Sequence, residues 1–210
     1  MRHIFSLFIA LGVAITRLQA LDLTPIDGFR ELEGIKIPVV FFADDARKVQ
    51  WQAPAQWRFV GGGDSLALYP ATTPDAAMEL RIISRKAAEA PDGTANPQAI
   101  ANWVQPLLPV QAGKATFLRE IPSPFLLGGL TSRELTFTYS LLGKDCKTSV
   151  ALVNLDLEHS LAVIIYSRPD QFDLMHDEGT RSMFRWVWLD STPNRARKDS
   201  RAARNTALEK

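Results

Sequence analysis

The chain has one cysteine, Cys146, and three histidines in 210 residues. A single thiol cannot close a disulfide within the chain, so the fold must be held by its core. Cys146 reads as a small buried hydrophobe on a strand rather than a reactive thiol. No HExxH pair, paired-cysteine motif or EF-hand loop is present, so neither a metal nor another cofactor is expected. There is no Gly-x-Ser-x-Gly elbow, and no serine has a histidine and an acid placed to activate it, so no catalytic residue is assigned. The glycines Gly61 to Gly63 lead into a strand and lack the Lys-Ser/Thr of a phosphate loop, which leaves a hairpin turn. Beyond the N-terminus, no apolar run approaches the roughly twenty residues that cross a bilayer.

What is there begins with an address. Arg2 and His3 give a positive start, Ile4 to Ile15 is almost unbroken apolar sequence, and Leu18-Gln19-Ala20 offers a cleavage site. This is the layout of a secretory signal peptide over residues 1–20, so an exported protein, periplasmic or secreted, is expected. Arg17 and Leu18 suit the cut poorly, and an uncleaved segment would be the one expected membrane contact. Residues 21–190 form the expected single domain. It carries 16 Lys and Arg against 21 Asp and Glu, and this mildly acidic balance argues against nucleic acid as a partner. Residues 191–210 are basic, without an apolar stripe, and read as a disordered tail.

The pattern predicts an α+β domain. Phe29 to Ile37 reads as one short strand, and Pro38 to Ala43 pairs with Val49 to Trp51 across the turn at Asp44 and Asp45. Trp57 to Val60 and Leu66 to Tyr69 make a second hairpin, and Met78 to Ile83 a further strand. Asn96 caps a helix that opens on Pro97 and buries Trp103. Ala115 to Ile121 is a strand, and Ser132 to Leu141, Lys147 to Asn154 and Leu161 to Ser167 form an antiparallel meander. The last strand is apolar enough to be covered on both faces. Phe172, Met175, Gly179 and Met183 stripe a final helix that runs to Trp186 and Trp188.

Trp51 and Trp57 bracket a proline loop and are the candidate ligand-binding residues, since an aromatic pair there can form a ligand floor. The competing reading is core packing at a sheet edge. His176 lies on a helix with Asp173 and Asp177, and His159 shares a turn with Asp156 and Glu158. Each could be an acid–base or metal cluster, and each also fits an ordinary solvated surface. Gly128 and Gly129 suggest a hinged apolar loop, and the basic tail a contact with an acidic surface.

The order of elements from Val49 to Leu189, with Pro54 and Trp57 at the start of a short hairpin, resembles the PsbP-like fold group, which includes PsbP and the DcrB-like periplasmic proteins. The resemblance implies an α/β/α sandwich around an antiparallel sheet, with a binding or assembly role rather than catalysis. It transfers no functional residue. The resulting expectation is a non-enzymatic binding or assembly protein of the cell envelope, with an unidentified protein or envelope component as partner. The alternative is a small exported hydrolase whose site converges only in three dimensions.

Overall fold

A computed structural model describes residues 20–43, 48–92, 95–122 and 132–189. The signal-like segment, the Asp44–Asp45 turn, the Gly128–Gly129 loop and the basic tail lie outside these residues. The strands are β1 (Asp22–Leu32), β2 (Ile35–Ala43), β3 (Lys48–Trp51), β4 (Trp57–Gly62), β5 (Ser65–Pro70), β6 (Ala77–Ser84), β7 (Thr116–Pro122), β8 (Ser132–Leu141), β9 (Lys144–Asn154), β10 (His159–Ser167) and β11 (Trp186–Leu189). Helix α1 (Pro97–Val104) runs into a 3₁₀ turn, and α2 (Phe172–Met183) precedes β11.

Two antiparallel sheets result. The larger has seven strands in the order β4-β5-β6-β10-β9-β8-β7, and the smaller has four in the order β1-β2-β3-β11. The meander β8-β9-β10 is as expected, and β10, buried along nearly its whole length, lies at the centre of the larger sheet. Its odd positions, Leu161, Val163 and Ile165, share one core with Met175 and Met183 of α2 and with Phe42 and Trp51 of the smaller sheet. Its even positions, Ala162, Ile164 and Tyr166, share the other core with Ile100 and Val104 of α1. The two-residue repeat of a strand thus divides its side chains between the two cores. The architecture is an α/β/α sandwich in which α2 shares its layer with the smaller sheet.

Helix α1 starts where the sequence says it should. The Asn96 side chain accepts the Ala99 amide at 2.9 Å, and Pro97 occupies the first turn, where no amide is needed. Trp103 departs from expectation: it is half-buried, and its indole donates to the Ala87 carbonyl.

Two strand assignments differ from the pattern. Phe29 to Ile37 is two strands meeting at a turn, with Leu32 facing Ile35 and with Glu33 (φ 51°) and Gly34 (φ 78°) both left-handed. The residues before Phe29 belong to β1 despite Pro25, because a register shift between Asp22 and Ile26 absorbs the irregularity. At the other end, α2 stops at Met183, and Trp186 and Trp188 sit on β11, paired with β3.

Candidate functional site

Strand β3 pairs with β2 only over Val40 to Ala43, while the β1–β2 ladder continues to Leu32 and Ile35. Among the described residues, the distal part of this ribbon therefore has no third strand. Facing residues in an antiparallel ladder share a side. The register places Phe29 with Pro38 on one side, and Leu32 with Ile35 and Arg30 with Ile37 on the other. Phe29 and Ile35 are each 67% exposed, and Leu32 is 53% exposed. Both sides of the ribbon thus present apolar surface to solvent. At its base, a Cβ on Gly28 would lie 2.4 Å from the Phe41 ring, so a larger residue there would have to displace that ring.

Trp51 and Trp57 face inward. Trp51 is fully buried, and its ring centroid lies 5.8 Å from Phe42, 6.1 Å from Trp186 and 6.5 Å from Phe59. Its indole donates to the Ser182 carbonyl at 3.0 Å, a further donor to an oxygen at the end of α2 that also accepts the Arg185 amide. Trp57 is 7% exposed and donates to the Glu178 carboxylate at 3.1 Å. The two indoles tie α2 to the strands, and Trp51 leaves no face open to solvent.

His159 lies beside Asp156, 3.1 Å from its carboxylate. That carboxylate also accepts the Glu158 and His159 amides at 2.8 and 2.7 Å, which shapes the β9–β10 turn. Burial raises the Asp156 pKa, but these two amides and the nearby His159 outweigh it, leaving the carboxyl below its ordinary value.

His176 partners neither of the aspartates beside it in sequence. Its Nε2 lies 2.7 Å from Oε1 of Glu134 on β8, a carboxylate only 2% exposed. Phe172 stacks on the imidazole at 5.4 Å, and Lys147 lies over the Phe172 ring at 4.4 Å. Asp173 lies 3.6 Å from Lys147, and Asp177 pairs with Arg181 at 2.8 Å. Sequence reasoning missed Glu134. Leu135, Phe137 and Tyr139 mark one buried face of β8, so the alternate residues Glu134 and Thr136 read as solvent-facing, yet both are buried. The hydroxyls of Thr136 and Thr180 are also buried without a hydrogen-bond partner.

A histidine held by a buried carboxylate is the oriented half of an acid–base pair. Among the described residues, no nucleophilic side chain is hydrogen-bonded to it. No group of three or more His, Cys, Asp or Glu side chains that could hold a metal occurs among them either, and no helix is long and apolar enough to cross a membrane. A separate open groove of about 490 Å³ carries Arg85 and Arg133, which donate to the carbonyls of Asp156 and Ala90.

No family model and no curated protein sequence matches the chain. Several solved structures are similar to it at low identity. The Pseudomonas aeruginosa protein PA94, described as a putative regulator of unknown function, is 13% identical over 80% of this chain and 99% of its own, with a TM-score of 0.40. LpqN of Mycobacterium tuberculosis, described as involved in cell envelope biogenesis, is 16% identical over 72% of this chain and 87% of its own, with a TM-score of 0.42. Cyanobacterial PsbP from Synechocystis is 9% identical over 66% of this chain and 85% of its own, with a TM-score of 0.45. At these scores the likeness is a distant one in the arrangement of elements, and nothing further is drawn from it.

Proposed function

We propose that the chain is an exported, non-enzymatic binding or assembly protein of the cell envelope that engages a protein partner through the β1–β2 ribbon. The observation that carries this reading is the ribbon's extension beyond its third strand, with Phe29, Leu32 and Ile35 each more than half exposed. Apolar side chains exposed on both sides of an extended strand pair give surface that gains by being covered. Export rests on the signal-like layout of residues 1–20. The hydrolase reading has the His176–Glu134 pair as its support, and it is the weaker one because no nucleophile accompanies that pair among the described residues.

The test compares the wild-type chain with a Phe29→Ser/Ile35→Ser variant, both tagged and crosslinked gently in the native envelope fraction. Removing exposed apolar side chains changes stability by only about 0.5 kcal/mol per site, so the variant should keep its melting temperature. The expected result is a specific partner recovered with the wild type and lost with the variant. Equal recovery by both proteins would remove the ribbon from the interface.

A further inference from the structure

A second site lies at the end of the larger sheet, where β5, β10 and the β8–β9 turn meet. A cavity of about 150 Å³ opens there, walled by Tyr69, Tyr166, Cys146, Pro74 and the Leu141–Leu142 pair. Its size matches that of an engineered apolar cavity, about 150 Å³, that binds a single benzene ring. Three charged side chains line it as well: Asp75, Lys144 and Arg168. Lys144 reaches both Asp75 oxygens, at 3.0 and 3.2 Å, so that pair is internally neutral. Arg168 lies 3.3 Å from Asp170 through one terminal nitrogen and is 49% exposed. A guanidinium has five N–H donors, which leaves it capacity for an incoming carboxylate.

The backbone at this cavity supplies an independent observation. The two-residue turn between β8 and β9 has Leu142 at φ 52° and Gly143 at φ 79°. Such a turn favours Asn, Asp or Gly at its first position. A leucine there is strained and, in this chain, 74% exposed. Neither local geometry nor burial accounts for its choice, whereas an apolar lip on an aromatic-walled cavity does. Beside this cavity, Tyr139 faces Cys146 across the ladder, 5% exposed, with its hydroxyl buried and unpartnered.

We propose that this cavity binds a small aromatic carboxylate, with the ring held by Tyr69, Tyr166 and Leu142 and the carboxylate received by Arg168. The site is distinct from the ribbon and shares no residue with it, so either can fail without the other.

The probe is benzoate, titrated calorimetrically into the full chain, with benzylamine and cyclohexanecarboxylate as comparators. Benzoate should bind, benzylamine should not, and cyclohexanecarboxylate should bind more weakly because it lacks the flat ring. Arg168→Gln should weaken benzoate about tenfold, as expected for one charge-assisted hydrogen bond. Leu142→Gly should raise the melting temperature while weakening benzoate, since it relieves the backbone and removes the lip. Benzoate should also slow the reaction of Cys146 with a thiol reagent. No binding heat at about 10 mM benzoate, near the weakest affinity worth calling a site, overturns the proposal. So does benzylamine binding as well as benzoate, or an affinity unchanged in both variants.

Discussion

Trp51→Ala lowers the stability of the domain by about 3–5 kcal/mol. The side chain is fully buried and touches elements from three parts of the sequence: Phe42 beside it in the smaller sheet, Phe59 on β4 and Trp186 on β11. Removing the indole opens a cavity that rigid strands on both sides cannot close, so the lost transfer energy and the cavity cost add. It also removes one donor to the Ser182 carbonyl at the end of α2, which keeps the Arg185 amide at 3.0 Å, so the lost hydrogen bond adds about 0.5–1 kcal/mol. Against a total stability of about 5–15 kcal/mol, the melting temperature should fall by roughly 10 °C or more. Trp51→Phe separates the two contributions. It keeps a ring in the cluster but loses the N–H, and should cost about half as much. Urea unfolding followed by far-ultraviolet circular dichroism measures both. A loss below about 1 kcal/mol for the alanine variant would mean that the smaller sheet does not pack on α2 as described.

The distance between Trp51 and Ser182, 131 residues in sequence, also explains what could be read from the chain and what could not. The bracket of Trp51 and Trp57 around Pro54 is plain in the sequence, as is their pairing with strand patterns. Which way they face depends on a helix far along the chain, and no local signal carries that. The same holds for Glu134. Alternation on β8 separates its two faces correctly, but only the position of α2 shows that the polar face is covered. By contrast, β10 could be assigned because an uninterrupted apolar run already implies cover on both sides, and α1 because its cap and first-turn proline are contiguous. The two misplaced boundaries have different causes, one local and one distant. Glu33 is an uncommon left-handed turn residue, so the turn left no glycine–asparagine signature ahead of Gly34. Phe184 and Trp188 continue a helical spacing past Met183, yet pairing with β3 outweighs that spacing and draws the chain into β11.

His176→Ala should cost about 2–3 kcal/mol, less than the roughly 3–5 expected for breaking a fully buried pair because the imidazole is partly exposed. The cost arises on the other side of the contact. Glu134 is 2% exposed and has His176 at 2.7 Å, so removing the ring strands a carboxylate between α2 and the sheet. The pair is therefore best tested as a cycle. His176→Leu alone should be strongly destabilising, whereas His176→Leu combined with Glu134→Leu should regain much of the loss, since apolar groups can fill the space without a charge to satisfy. A coupling energy above about 1 kcal/mol identifies the pair as a link between helix and sheet. Effects that add to within about 0.5 kcal/mol would show two independent groups. The same cycle bears on function. A pair retained for stability can be replaced by two leucines with partner capture through the ribbon intact, because Phe29 and Ile35 lie on an element that neither substitution touches. Loss of capture in the double variant, with the fold preserved, would move the binding surface from the ribbon to the helix–sheet seam around His176.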